Sequence, residues 1–170
     1  SNASSDGGWK SRAAFLTPIA KSFGTETGCR VAELGVQVRG GMGFIEESGA
    51  AQYYRDVRVT AIYEGTNGIQ AMDLVGRKLM DGGEAAYSLV DDIQKTVKTC
   101  PEGFSSLAHE VMLASEALRE AIKWMCSQKN LNDRFAGAVP FLNAFARVLG
   151  GYFHLKSAIQ EGPLGQRTKL

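Results

Sequence analysis

The sequence has little of what marks several common classes of protein. Its 170 residues hold three cysteines, Cys29, Cys100 and Cys126. They are odd in number, widely spaced and without a C-x-x-C pair, so neither a disulfide framework nor a zinc site is indicated, and a cytoplasmic setting is expected. The two histidines, His109 and His154, have no partner at metal-ligand spacing and read as packing or solvent-facing side chains. No metal is expected. An excess of charge is missing too: Lys plus Arg number 19 and Asp plus Glu 18, for a net charge of +1. Divided after residue 80, the first part carries 9 basic and 8 acidic residues and the second 10 of each. Neither part has the basic surplus that binding to a phosphate backbone draws on, so nucleic acid is excluded as an expected partner. No apolar run approaches the roughly 18 residues of a membrane span, and no signal-peptide pattern is read at the start. Ser1-Asn2-Ala3 resembles a vector scar left by tag removal, which suggests a piece cut from something longer.

What is present is globular and helical. Apolar residues make up 44% of the chain and charged residues 22%, which suits one domain or two small units sharing a core. Leu16, Ile19, Ala20, Phe23, Thr27, Val31, Leu34 and Val38 recur every three or four residues, one face of a long helix that must end at Gly40-Gly41. Gly24 and Gly28, four apart within it, predict close approach of a neighbouring helix. Gly43 to Ser48 reads as a loop, followed by a short helix holding Ala51, Tyr53, Tyr54 and Val57. Arg58 to Tyr63, β-branched and aromatic, reads as extended or irregular. Thr66 or Asn67 then caps a helix in which Ile69, Met72, Val75 or Gly76, and Leu79 share a face, stopped by Gly82-Gly83.

Beyond residue 83 three more helices are expected. Ala86, Leu89, Val90, Ile93 and Val97 mark the first, and Pro101 and Gly103 end it. Leu107 through Met125 mark the second, with Trp124 and Met125 read as core. Phe135 through Phe153 mark the third, capped by Asp133, kinked at Pro140 and bent again at Gly150-Gly151. Asp91-Asp92 reads as a solvated helix face and Cys29 as a small buried hydrophobe. No alternating strand pattern competes over a comparable length, so the predicted fold is all-α, a helical bundle.

Chemistry concentrates in Ala61-Ile-Tyr-Glu-Gly-Thr-Asn-Gly-Ile-Gln70. Glu64 sits between an apolar stretch and a Gly-Thr-Asn-Gly turn, with glycines on both sides of Thr66-Asn67 that let a ligand or another backbone come close. Shielding by Ile62 and Tyr63 would push its carboxyl up toward the range of a general base. The same position also suits a surface carboxylate at the N-terminus of the next helix. Gly40-Gly41-Met42-Gly43 is a poor phosphate loop, since it lacks a Lys-Ser/Thr tail and a preceding strand.

Tyr63-Glu64-Gly65-Thr66 followed by Ile69-Gln70 resembles the catalytic segment of the acyl-CoA dehydrogenases. Upstream, Gln37-Val-Arg-Gly40-Gly41-Met-Gly43-Phe44 is similar to the family's Q-x-x-G-G-x-G-[FY] stretch, and Tyr54-Arg55-Asp56-Val57-Arg58 to its R-D-x-[RK] run. The order and spacing of the three are more specific than any one alone, and together they cover roughly residues 12 to 80. The resemblance implies that Glu64 removes the pro-R α-proton of an acyl-CoA thioester while a β-hydrogen leaves as hydride to FAD, giving a trans-2-enoyl-CoA. It implies that Gly65 lies against substrate and that Thr66 contacts the flavin of its own subunit. Gln37, Gly40 and Gly41 would reach the FAD of a neighbouring subunit. Gly68 departs from the pattern, standing where many members have a glutamine near the flavin, so that contact is not carried over.

Asn67-Gly68 followed by Ala71-Met-Asp-Leu74 and Arg77-Lys78-Leu79 resembles a bacterial branch with long chains and a C-terminal helical extension, which includes enzymes for long-chain and for 3-methylmercaptopropionyl thioesters. The expected organisation is therefore residues 4–82 as an incomplete C-terminal helical part of the dehydrogenase and residues 83–170 as the extension, which carries no comparably sharp motif. The resemblance further implies homo-oligomers and an electron-transfer flavoprotein as electron acceptor. The other readings are a non-catalytic helical oligomerisation or interaction module derived from the family, against which Glu64 stands, and a purely structural bundle, which leaves the Tyr63–Thr66 turn unexplained.

Overall fold

The apolar spacing near the start of the chain becomes one long helix, α1 (Ala3–Val38), in a computed structural model that describes residues 3–162, with side chains from residue 8 on. Ser1 and Asn2 of the suspected scar lie outside the described residues. The first half of α1 buries Phe15 and Ile19 in the core; the second half carries an arm. There α2 (Gly41–Phe44) and α3 (Ala50–Arg58) fold back against α1. The reversal is glycine-dependent: Gly40 has φ 58°, and a Cβ on Gly43 would overlap the Val36 carbonyl oxygen. Gly43 to Ser48 is thus not an open loop but the end of a one-turn helix followed by a 3-10 turn, Glu46–Ser48. Of the two spaced glycines in α1, Gly28 meets a neighbour, since its Cβ would sit 3.3 Å from Val57 Cγ2, while Gly24 faces open space. Cys29 is half-buried, its Sγ 3.8 Å from the Val57 carbonyl.

Arg58 to Tyr63 is not extended. Thr60 Oγ1 donates to the Val57 carbonyl at 2.6 Å, and a 3-10 turn spans Val59–Ala61. A β-branched stretch with no strand to pair with takes the local bond instead. Helix α4 (Asn67–Gly76) follows, with Thr66 Oγ1 accepting the Ile69 N–H at 3.4 Å. It buries Ala71, Leu74 and Val75, and Leu79 joins them from the turn beyond, whereas Ile69 and Met72 face outward. Val75 and Leu79 thus hold the expected face, while Ala71 and Leu74 take the places expected of Ile69 and Met72. The helix stops at Gly76, where a Cβ would press on the Phe135 ring at 3.1 Å, and the chain turns through Gly82 and Gly83, both at positive φ.

The rest is a bundle. Helix α5 (Glu84–Lys98) buries Ala85, Ala86, Leu89, Val90 and Ile93, and α6 (Ser105–Ser127) faces it with Ala108, Val111, Leu118, Ile122 and Met125. Trp124, expected in the core beside Met125, is half exposed. A short α7 (Leu131–Ala136) is capped by Asn130 rather than Asp133 and is separated by Gly137 from α8 (Ala138–Glu161). Pro140 is the third residue of α8, where a missing N–H leaves no intrahelical bond unmade, so the expected kink has no cause there. One helix also runs unbroken through Gly150-Gly151. The two parts of the chain join along a seam. Phe15 meets Phe145 edge-on with centroids 5.0 Å apart, and Arg12 pairs with Asp92 at 2.6 Å. Asp91 pairs with Arg119, so the Asp91-Asp92 face ties helices together instead of only meeting water. His109 and His154 are exposed. Among the described residues there is no strand, and the fold is all-α.

Candidate active site

Glu64 stands in a turn held by two helices. It is the one non-glycine residue with positive φ (55°) among the described residues, and Gly65 after it has φ 85°. Two consecutive left-handed residues are costly when one carries a Cβ, on the order of 1–2 kcal/mol, and such an outlier points toward a site. The turn is kept by donors to its carbonyls. Gln70 Nε2 donates to the Glu64 carbonyl at 2.8 Å, and Lys21 Nζ donates to the Gly65 carbonyl at 2.8 Å. Lys21 Nζ and Thr25 Oγ1 also donate to Asn67 Oδ1, at 3.0 and 3.1 Å, and Asn67 Nδ2 donates to the Ser22 carbonyl at 3.3 Å. The start of α4 is thus fastened to α1 by side chains as well as by packing.

The carboxylate of Glu64 is exposed, and so are the flanking side chains, Ile62 at 58% and Tyr63 at 51%. The expected shielding of Glu64 by these two is not provided within the chain. They stand beside the carboxylate and leave it wet. Any dehydration of this carboxylate has to come from something laid over the turn. Thr66 is exposed as well, and its long bond from the Ile69 N–H leaves the hydroxyl proton free to donate outward.

Gln37, Gly40 and Gly41 gather at the far end of the arm, all exposed. From Lys21, under the Glu64 turn, to Gln37 the helix rises about 24 Å, so these residues and the turn form two separate places. A Cβ on Gly41 would meet no atom within 4 Å, and its backbone does not require glycine, so nothing within the chain explains the small residue. Beside it a groove of about 870 Å³ is walled by Val36, Gly43, Phe44, Ile45, Tyr54 and Arg58. Arg55 holds Glu46 across one edge at 2.6 Å, its hydrogen bond and then its charge keeping the Glu46 carboxyl below the usual range. Glu46 and Glu47 line the groove as well as Arg55 and Arg58, so its walls are apolar and its charged rim is balanced.

The tethers Lys21, Ser22, Thr25 and Asn67 were not among the expected site residues. Lys21 and Thr25, four apart on the same side of α1, were the available signal. Among the described residues no group of His, Cys, Asp or Glu side chains could hold a metal ion, and no helix is long and apolar enough to cross a membrane.

Comparison with known proteins gives two family matches: the acyl-CoA dehydrogenase C-terminal domain over residues 4–80, and the acetyl-CoA dehydrogenase C-terminal-like region over residues 89–162. The chain is 41% identical over 149 residues to a 3-methylmercaptopropionyl-CoA dehydrogenase of Ruegeria pomeroyi, covering 84% of this chain and 25% of that protein. It is 28% identical over 148 residues to a butyryl-CoA dehydrogenase of Syntrophomonas wolfei, covering 84% of this chain and 24% of that one. Human very long-chain specific acyl-CoA dehydrogenase matches at 39% over 71 residues, 42% of this chain and 11% of its own length. The chain spans about a quarter of the length of the first two relatives.

Proposed function

The chain belongs to the acyl-CoA dehydrogenase family, and on that premise we propose that it is the C-terminal, base-bearing part of an FAD-dependent enzyme that converts an acyl-CoA thioester to a trans-2-enoyl-CoA. The observation that carries this reading is Glu64, displayed in a left-handed turn that two helices maintain. FAD, when bound, supplies the acceptor for the hydride that leaves the β-carbon. Glu64 takes the α-proton: the Cα–H bond breaks, its electron pair stays on carbon and is drawn toward the thioester carbonyl, and the proton ends on the carboxylate. A positioned general base is worth about 10²–10⁴-fold in rate.

The other residues bind and orient. Gly65, lacking a side chain, lets the acyl group lie against the turn. Thr66 donates its hydroxyl to the cofactor of its own subunit. Gln37, Gly40 and Gly41, about 24 Å away along α1, hold the cofactor of a neighbouring subunit. The open space at Gly41, which leaves room for a ligand's close approach, supports this contact. Exposed Ile62, Tyr63 and Ile69 give substrate and the remaining domains an apolar seat, and covering them is what dries Glu64. Homo-oligomers and reoxidation by an electron-transfer flavoprotein belong to the same proposal.

The test is a flavin spectrum of the whole protein from which this chain is taken. Added acyl-CoA should bleach the flavin, and electron-transfer flavoprotein should restore its colour. A protein that purifies without flavin and takes none up would overturn the reading.

A further inference from the structure

Beneath the catalytic turn lies a half-buried ammonium that the proposed chemistry does not use. Lys21 on α1 places Nζ 2.8 Å from the Gly65 carbonyl and 3.0 Å from Asn67 Oδ1, both neutral acceptors. We propose that Lys21 is a positioning residue for Glu64, one jaw of a clamp whose other jaw is Gln70. The argument is geometric. Glu64 and Gly65 occupy successive left-handed conformations that a free chain seldom visits when a Cβ is present. Their two carbonyls are held from opposite helices, Glu64 by Gln70 of α4 and Gly65 by Lys21 of α1. Fixing both carbonyls fixes the peptide planes on either side of Gly65, which restrains the backbone from which the Glu64 side chain leaves.

A cationic donor suits this task, because a charge-assisted hydrogen bond is stronger than a neutral one and partial burial strengthens it further. Lys21 also joins Thr25 in holding Asn67, the first residue of α4, so the turn and the helix that follows are referenced to the same point on α1. Without Lys21 the Gly65 carbonyl has no partner on α1, and the Gly65–Thr66 peptide is free to rotate toward water. The base would then be present but badly aimed. Misplacement of a reacting group by about 1 Å costs roughly 100-fold in rate.

The kinetic consequence rests on Glu64 being the base; the structural one does not, and the experiment separates them. In the chain itself, Lys21→Met keeps the length of the side chain and removes the donor. The NMR three-bond coupling and chemical shifts of Glu64, which report its φ, should move toward coil values. Slow amide exchange at Leu74 and Phe145 should persist, and Lys21→Arg should restore the wild-type signals. In the whole enzyme Lys21→Met should lower kcat about 10- to 100-fold with KM changed less than about threefold, and Lys21→Arg should recover most of the loss. Glu64 signals unchanged in Lys21→Met, or a kcat within about twofold of wild type, would overturn the clamp. Full turnover by Glu64→Gln would instead overturn the base assignment and leave the NMR result standing.

Discussion

The two halves of α1 carry the same apolar periodicity and meet opposite surroundings. Phe15 and Ile19 in the first half are sealed against α8 and its neighbours, with Phe145 fully buried across the seam. Val31, Leu34 and Val38 in the second half stand open, and α2, the turn after it and α3 add Met42, Phe44, Ile45 and Tyr53 to the same exposed set. Val38 is 86% exposed and Phe44 84%, values that no packed core tolerates. The bundle encloses a core within this chain, though Trp124 and Phe153 stay exposed on its surface, whereas the arm buries almost none of its large apolar side chains. Periodicity reports that a helix has an apolar face; it does not report which molecule covers that face. An exposed apolar surface of this extent marks a contact site, and we expect the rest of the protein and neighbouring subunits to cover it.

This contrast can be broken by mutation. The largest effect belongs to the bundle: Phe145→Ala should cost about 3–5 kcal/mol in urea unfolding, whereas Phe44→Ala in the arm should stay within about 0.5 kcal/mol. Equal losses at the two positions would mean that the arm is packed after all. Next comes Gly43→Ala, whose Cβ would overlap the Val36 carbonyl. It should cost about 1–3 kcal/mol, felt as faster amide exchange in α2 and α3 while exchange in α5 and α8 stays slow. Uniformly faster exchange would show that arm and bundle unfold as one unit.

A smaller effect should be seen in association. The chain alone should be colourless and self-associating, and Val38→Asp with Phe44→Asp should weaken association about tenfold, or roughly 1.4 kcal/mol, by sedimentation. A wild-type chain that sediments as a monomer and binds FAD tightly would contradict the unfinished arm. The smallest effect on stability is expected at Gly41→Val, because a side chain there meets no atom of the chain. In the whole enzyme the same change should lower the flavin-to-protein ratio after gel filtration. An unchanged ratio would remove Gly41 from the cofactor edge.

Much of the fold was legible because it rests on local rules. The helical face of α5 follows directly from spacing, and Thr66 takes the cap that the sequence left open between it and Asn67, whereas Leu107 in α6 and Val139 and Phe153 in α8, expected on the packed faces, are exposed. The misreadings share a cause, which is that a distant or local partner outweighed propensity. Arg58 to Tyr63 coils because Thr60 bonds Val57, Gly76 at the end of α4 is kept small by the Phe135 ring, and Asn130 takes the cap expected of Asp133. At the candidate site, Glu64 stood out by its motif, but its tethers did not. Lys21 lies 44 positions before Gly65, and only the folded α1–α4 contact brings them together. Its surroundings were misjudged for the same reason that the arm was: Ile62 and Tyr63 are apolar neighbours in sequence that turn outward in space.

The account turns on Glu64, and one substitution tests it most directly. Glu64→Gln keeps the size of the side chain and removes its basicity. In the whole enzyme it should retain fold and flavin while the rate of flavin bleaching by acyl-CoA falls at least about 100-fold, the lower range for a lost general base. Bleaching at a rate close to wild type would contradict the account and require another base.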